Sequence, residues 1–287
     1  MFESIRVVKK IGKKRKYVEN KRRIISMNFK SFNQIIVPIV LIFIGESLIF
    51  LDNPINGLLI HMFNMLVIFI LIIVDRNLFT IFKDQKVKFV FQSLILLLLL
   101  RIINMTLPDF FISTMVWMFI IYGVMYIPIY SILKFQDFTL KEIGLNCNRL
   151  IIYLPASIIL GLILGLIESQ IIQPFDPELD NMAVTSLLFL YIILMFLFIG
   201  LVEELVFRSI LQTRLENALG MKQGLVLASV LFGIMHTGYG TIYEILFAII
   251  AGLIIGFIFQ KTRSLPFVVG IHGTINFFVF AIVPYLL

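Results

Sequence analysis

Long apolar runs alternate with short polar breaks along this chain. The runs last about 18 to 25 residues, enough for an α-helix to cross a bilayer. After roughly 30 polar and basic residues, apolar segments cover about 32–51, 57–74, 89–105, 110–133 and 150–172. Further segments run from 184 past Arg214, over 225–236, over 242–259, and from Pro266 onward. Proline, asparagine, aspartate and glycine fill the breaks, as at Asp52 to Asn56 and Thr237 to Gly240. A transmembrane barrel would show shorter, strictly alternating segments. The pattern predicts an all-α fold, a polytopic transmembrane helical bundle of about eight to nine spans, with the seventh segment short.

Charge orients the bundle. The loops at 76–88, 134–149, 214–222 and 261–263 carry Lys and Arg, whereas 52–56, 106–109, 173–183 and 237–240 carry none. By the positive-inside rule this places the N-terminus in the cytoplasm, and an odd number of spans places the C-terminus outside. Eleven of the 24 Lys and Arg fall in the first 30 residues. The net charge of +7 is therefore concentrated near one end. Such a block reads as a cytoplasmic juxtamembrane segment held by anionic lipid, not as a nucleic-acid surface. Hydrophobic residues make up 60% of the chain and charged residues 14%, which leaves little sequence for an aqueous domain. The single cysteine, Cys147, excludes an internal disulfide and a cysteine-based metal site. No cleavable signal peptide is expected, because the basic stretch is long and no small-residue cleavage site follows the first apolar run.

Against this background the ionisable residues inside apolar runs stand out, each costing about 3 kcal/mol on insertion scales. Glu203, Glu204 and Arg208 lie within one run. Measured at 1.5 Å per residue from the basic helix ends, Glu203 lies about 16 Å inward, His236 about 21 Å, His272 about 13 Å and Asn276 about 19 Å. Three separate segments thus place acid, imidazole and amide in one layer near the bilayer midplane. A carboxylate beside an imidazole can activate water, and a second imidazole with an amide can stabilise a tetrahedral oxyanion. Arg208, four residues after Glu204, suits an ion pair with it. That leaves Glu203 the freer carboxylate. Other polar residues read as structural. His61 lacks a partner at its depth and reads as a packing residue, Phe232 as packing, and Arg101 as a charge snorkelling outward. Glu46, Glu168 and Glu244 are expected to reach the interface, and Gly161-x-x-x-Gly165 and Gly252-x-x-x-Gly256 to be close-packing faces.

Three motifs in order, Glu203-Glu204-x-x-x-Arg208, Phe232-x-x-x-His236 and His272-x-x-x-Asn276, resemble the signature of the CPBP family of CAAX proteases and bacteriocin-processing enzymes, also called the Abi family. The resemblance covers about 184–285, and Ile143-Gly144-Leu145 resembles a stretch often found upstream of that core. It implies an intramembrane glutamic endopeptidase acting on CAAX-like or other membrane-associated peptides. Glu203 would activate water with help from His236, His272 and Asn276 would form the oxyanion hole, and Glu204, Arg208 and Phe232 would support them. The family's eukaryotic branch removes the last three residues of prenylated proteins, and a metal-dependent mechanism has also been argued for it. Glutamate catalysis without a metal is the favoured expectation, with Zn²⁺ held by Glu203, His236 and His272 as the alternative.

The chain then divides into a basic segment at 1–31, N-terminal helices of unassigned role at 32–149, and a protease-type core at 150–287. Its catalytic cavity is expected to open to the cytoplasm. Two rival readings remain: a non-catalytic immunity or scaffold protein that keeps the pocket, and a proton-coupled transporter. The second is disfavoured by the lack of an inverted repeat.

Overall fold

The computed structural model describes residues 32–77, 80–82, 84–106, 114–145, 149–172 and 184–285. The basic segment at 1–31 and Cys147 lie outside them. Every regular element among the described residues is helical. In chain order they are α1 (Phe32–Phe50), α2 (Pro54–Asn77), α3 (Gln85–Thr106), α4 (Thr114–Phe135), the single turn α5 (Leu140–Ile143) and α6 (Leu150–Glu168). One long rod follows, here α7, beginning with Val184–Ile193 and ending with Thr213–Leu219. Last come α8 (Met221–Ile234), α9 (Ile242–Thr262) and α10, which is Leu265–Phe277 continued by a wider turn at Phe278–Ile282.

Eight helices among the described residues are long and apolar enough to cross a membrane. The chain is a multi-pass membrane protein of the expected all-α class. The short segment is α8, whose 14 residues rise about 21 Å against a hydrocarbon core of about 30 Å. It leans along α9 as a hairpin, and the tip of that hairpin, Met235 to Thr241, stays close to the bundle interior.

Burial sorts the spans into centre and periphery. In α10, 72% of the most apolar window is enclosed, and in α3 56%, against 22% for α2, α4 and α6. The polar residues accordingly cluster on α3, α7 and α10, where neighbouring helices can satisfy them. Gly161 brings α6 onto α10. A Cβ there would stand 2.7 Å from the Ile271 carbonyl oxygen and 2.5 Å from Thr274 Cβ, so only glycine permits the approach.

The turn at Ile143-Gly144-Leu145 is a docking element. The Thr139 side chain caps α5 and Glu142 bonds back to the Thr139 N–H. Gly144 then takes a left-handed conformation (φ 86°), where a Cβ would strike Phe259 at 2.6 Å. Ser209 donates to the Ile143 carbonyl at 2.6 Å, and the Leu265 N–H to the Gly144 carbonyl at 2.7 Å. The turn thereby fixes α7 against the start of α10.

Several expectations are corrected. Glu46, Glu168 and Glu244 do not reach the interface, being 1%, 5% and 0% exposed. Glu168 and Glu244 lie against each other between α6 and α9. Arg101 does not snorkel. Its Nε and Nη2 donate to the two carboxylate oxygens of Glu46 at 2.8 and 2.6 Å. His61 is a packing residue with no exposed surface, yet it has a partner, its Nε2 lying 3.0 Å from Glu46 Oε1. For Glu46, Arg101 and His61 the reason is shared. Snorkelling is the outcome for a lone charge, and a counter-charge on another helix offers a charge-assisted bond inside the bundle instead.

Candidate active site

The Glu203-Glu204 pair sits at a local irregularity of α7. Leu194–Gly200 and Leu205–Gln212 are both wound as π-helix, leaving Leu201–Glu204 as one α turn between them. Such wide turns are frequent at functional positions. Here they turn the two carboxylates of one helical turn toward different neighbours.

Glu204 is sealed in. Neither it nor Arg208 has any exposed surface, and Arg208 Nε lies 3.0 Å from Glu204 Oε2. His272 on α10 places Nδ1 2.9 Å from Glu204 Oε1. The Arg208 guanidinium also lies over the Phe232 ring, 4.6 Å from its centroid. A desolvated cation–π contact of this kind is worth about 2 kcal/mol. Phe232 is packing with consequences: its ring meets His272 edge-on at 5.7 Å and His236 at 4.8 Å. One aromatic side chain therefore sets the orientation of Arg208 and both imidazoles.

Glu203 faces the other way, into a cavity of about 380 Å³. His236 lines the same cavity, with Arg101 and Asn104 from α3, Trp117 and Tyr122 from α4, and Tyr239 from the α8–α9 tip. The Tyr122 hydroxyl donates to Glu203 Oε1 at 2.7 Å. Asn104 bonds that same hydroxyl, which makes a relay of polar side chains from α3 through α4 to α7. His272 reaches Glu203 from behind, Nε2 to Oε2, at 3.7 Å.

Two hydrogen bonds assign the tautomers. His236 Nδ1 lies 2.9 Å from the Phe232 carbonyl oxygen, which can only accept, so Nδ1 carries the proton. The Nε2 of neutral His236 is then a free base. His272 Nδ1 donates to the Glu204 carboxylate in the same way, and its Nε2 can donate only when the ring is an imidazolium.

Glu203 and His236 share the cavity, and His272, Glu204, Arg208 and Phe232 interlock behind Glu203. Asn276 lies one turn beyond His272 on α10, nearly buried at 8% exposure, and is not part of the cavity wall. His272 too stands outside that wall. Residue pattern alone missed Tyr122, Asn104, Thr237 and the partnership of Arg101. None shares a spacing with the three motifs, and an intramembrane tyrosine carries no charge to draw the eye.

Among the described residues, no group of three His, Cys, Asp or Glu side chains is placed to hold a metal ion. No step is routed through a metal.

Residues 185–278, about a third of the chain, match a family model described as Type II CAAX prenyl endopeptidase Rce1-like. The match contains all three motifs and stops short of α1 to α6. Neither a curated protein nor a solved structure matches the chain.

Proposed function

Starting from the match of residues 185–278 to the Type II CAAX prenyl endopeptidase Rce1-like model, we propose that this chain is an intramembrane endopeptidase of the CPBP/CAAX protease family in which Glu203 activates the hydrolytic water. The observation that carries this reading is the cavity that holds Glu203 and His236 together while Glu204, the adjacent carboxylate, is consumed by Arg208 and His272. Two carboxylates in sequence have separate tasks because their surroundings differ.

A peptide carbonyl entering the cavity would meet a water held between the Glu203 carboxylate and His236 Nε2. Glu203 takes a proton as the water oxygen attacks the carbonyl carbon, forming a tetrahedral oxyanion. Collapse expels the amine, which needs a proton. Protonated Glu203 returns it directly, or His236 Nε2 passes it on. Tyr122 leaves Glu203 Oε2 for this work by occupying Oε1. Oxyanion stabilisation falls to His272, as imidazolium beside Glu203, with Asn276 one turn further along α10, both set just behind the cavity wall.

The substrate class under this reading is a membrane-associated peptide or protein segment, CAAX-like or otherwise, cut within the bilayer. The three-part division of the chain, with residues 150–287 as the protease-type unit, belongs to the same proposal. So do anionic lipid at the basic segment and a cytoplasmic N-terminus.

The test is hydrolysis by purified protein in lipid nanodiscs, offered a mixed peptide library in ¹⁸O water. Cleavage with one heavy oxygen in each new carboxylate is expected. A protein that binds library peptides and returns all of them uncut would instead be a scaffold.

A further inference from the structure

The cavity has a direction. Among the described residues, most of its lining comes from the last turns of α3 (Arg101, Asn104), the first turns of α4 (Trp117, Met118, Tyr122) and the tip joining α8 to α9 (Met235 to Tyr239), with Glu203 from α7. The α3, α4 and tip residues lie at one end of the bundle. Deeper along α3 and α7 the wall is closed by Leu97 and Phe207, at 1% and 2% exposure. Toward the near end Asn104, Gly238 and Tyr239 are exposed and form a rim. The floor is therefore aliphatic and aromatic packing, and the mouth is polar.

The two ends of the bundle differ in charge. Connections at the cavity end, 51–53, 107–113, 173–183 and 235–241, contain no Lys or Arg. At the opposite end the connections 78–84, 136–149 and 263–264 each contain Lys or Arg, Lys222 lies in the first turn after the one-residue break at Gly220, and the basic N-terminal sequence precedes the start of α1 there. Basic connections stay in the cytoplasm because moving them across is disfavoured during insertion. A mouth at the cation-free end and a cytoplasmic mouth are incompatible.

We propose that the cavity is entered from the extracytoplasmic face, so that its substrates are exported or surface-exposed segments of membrane-associated peptides and not cytoplasmic tails. The statement about substrates rests on the endopeptidase reading, whereas the direction of entry does not. It replaces the expectation of a cytoplasmic opening. That expectation follows from depth along α7, α8 and α10, and depth does not say which way a pocket is closed. A cytoplasmic tail would have to approach through the packed floor beneath Glu203. A peptide released on the outer side meets the exposed rim directly.

Thiol accessibility decides the matter. Cys147→Ser removes the native thiol, and Gly238→Cys then places a single one on the rim. A Cβ at Gly238 meets only the Arg101 guanidinium, at ordinary contact distances of 3.8 and 4.0 Å, so the substitution is tolerated. Lys222→Cys at the opposite end and Asn53→Cys at the cavity end serve as references. Spheroplasts expressing each variant are treated with a membrane-impermeant sulfonated maleimide before and after permeabilisation. The proposal expects Gly238→Cys and Asn53→Cys to react fully in intact spheroplasts, and Lys222→Cys to react at least tenfold more after permeabilisation. The reverse pattern overturns it. A Gly238 thiol that stays unreactive in permeabilised cells overturns it too, since the rim would not be open to water. Labelling needs no turnover. An inactive protein labelled from outside would sink the endopeptidase reading and leave the direction of entry standing.

Discussion

The Tyr122 hydroxyl donates a 2.7 Å hydrogen bond to Glu203, joining α4, outside the family match, to the carboxylate at the centre of the matched core. A bond to a charged acceptor is worth about 1.5–3 kcal/mol. Tyr122→Phe removes that bond and keeps the ring. It should lower kcat roughly 10- to 100-fold, at 1.36 kcal/mol per decade, and leave KM nearly unchanged. Tyr126→Phe is the matched control. One turn along the same helix, that hydroxyl bonds the Leu197 carbonyl on α7 without touching Glu203. Equal losses from both substitutions would mean that the bonds only brace the helices.

The second prediction concerns the clamp on the α8–α9 tip. Arg101 Nη2 donates to Thr237 Oγ1 at 2.9 Å while it pairs with Glu46, and Thr237 in turn donates to Glu46. Thr237 follows His236, so two N-terminal helices hold the residue next to the His236 imidazole. Arg101→Leu strands the Glu46 carboxylate inside the bundle, beside His61. Breaking one partner of a buried pair costs about 3–5 kcal/mol. Thermal unfolding in detergent should show that loss, and Arg101→Leu with Glu46→Leu should recover most of it. A single variant as stable as the parent would contradict the clamp.

The three motifs made Glu203, His236, His272 and Arg208 visible in the sequence, because ionisable side chains at equal depth on separate spans are costly without a shared purpose. Span number was readable for a similar reason, since apolar runs of fixed length leave few choices. Partnerships across helices were not readable. Arg101 and Glu46 are 55 residues apart, and no periodicity relates them. The lone-charge rule therefore sent Arg101 to the surface, and Tyr122 passed as one aromatic among many. The closed floor of the cavity was likewise hidden, because it depends on which apolar faces meet.

Close packing of α6 on α10 gives a third prediction. Gly161→Ala puts a methyl group 2.7 Å from the Ile271 oxygen, and the helices must part. Overpacking of this kind costs about 1–3 kcal/mol. Because His272 is the next residue after Ile271, activity at low temperature should also fall. Unchanged unfolding and unchanged turnover together would contradict the contact.

The fourth prediction is that dialysis against a strong zinc chelator leaves peptide hydrolysis within about twofold of its starting rate, the outcome expected of glutamate catalysis without a metal. Loss of activity that added Zn²⁺ restores would show the His and Glu side chains rearranging around a metal.

The central claim is that Glu203, and not Glu204, is the base. Single-turnover cleavage of one nanodisc-tested peptide should be compared between the parent, Glu203→Gln and Glu204→Gln at matched folding. General-base catalysis contributes about 10²- to 10⁴-fold, so Glu203→Gln should lose that much with peptide binding retained. Glu204→Gln should unfold at a lower temperature, because Arg208 and His272 lose their anion. Cleavage by Glu203→Gln at the parent rate would contradict the account.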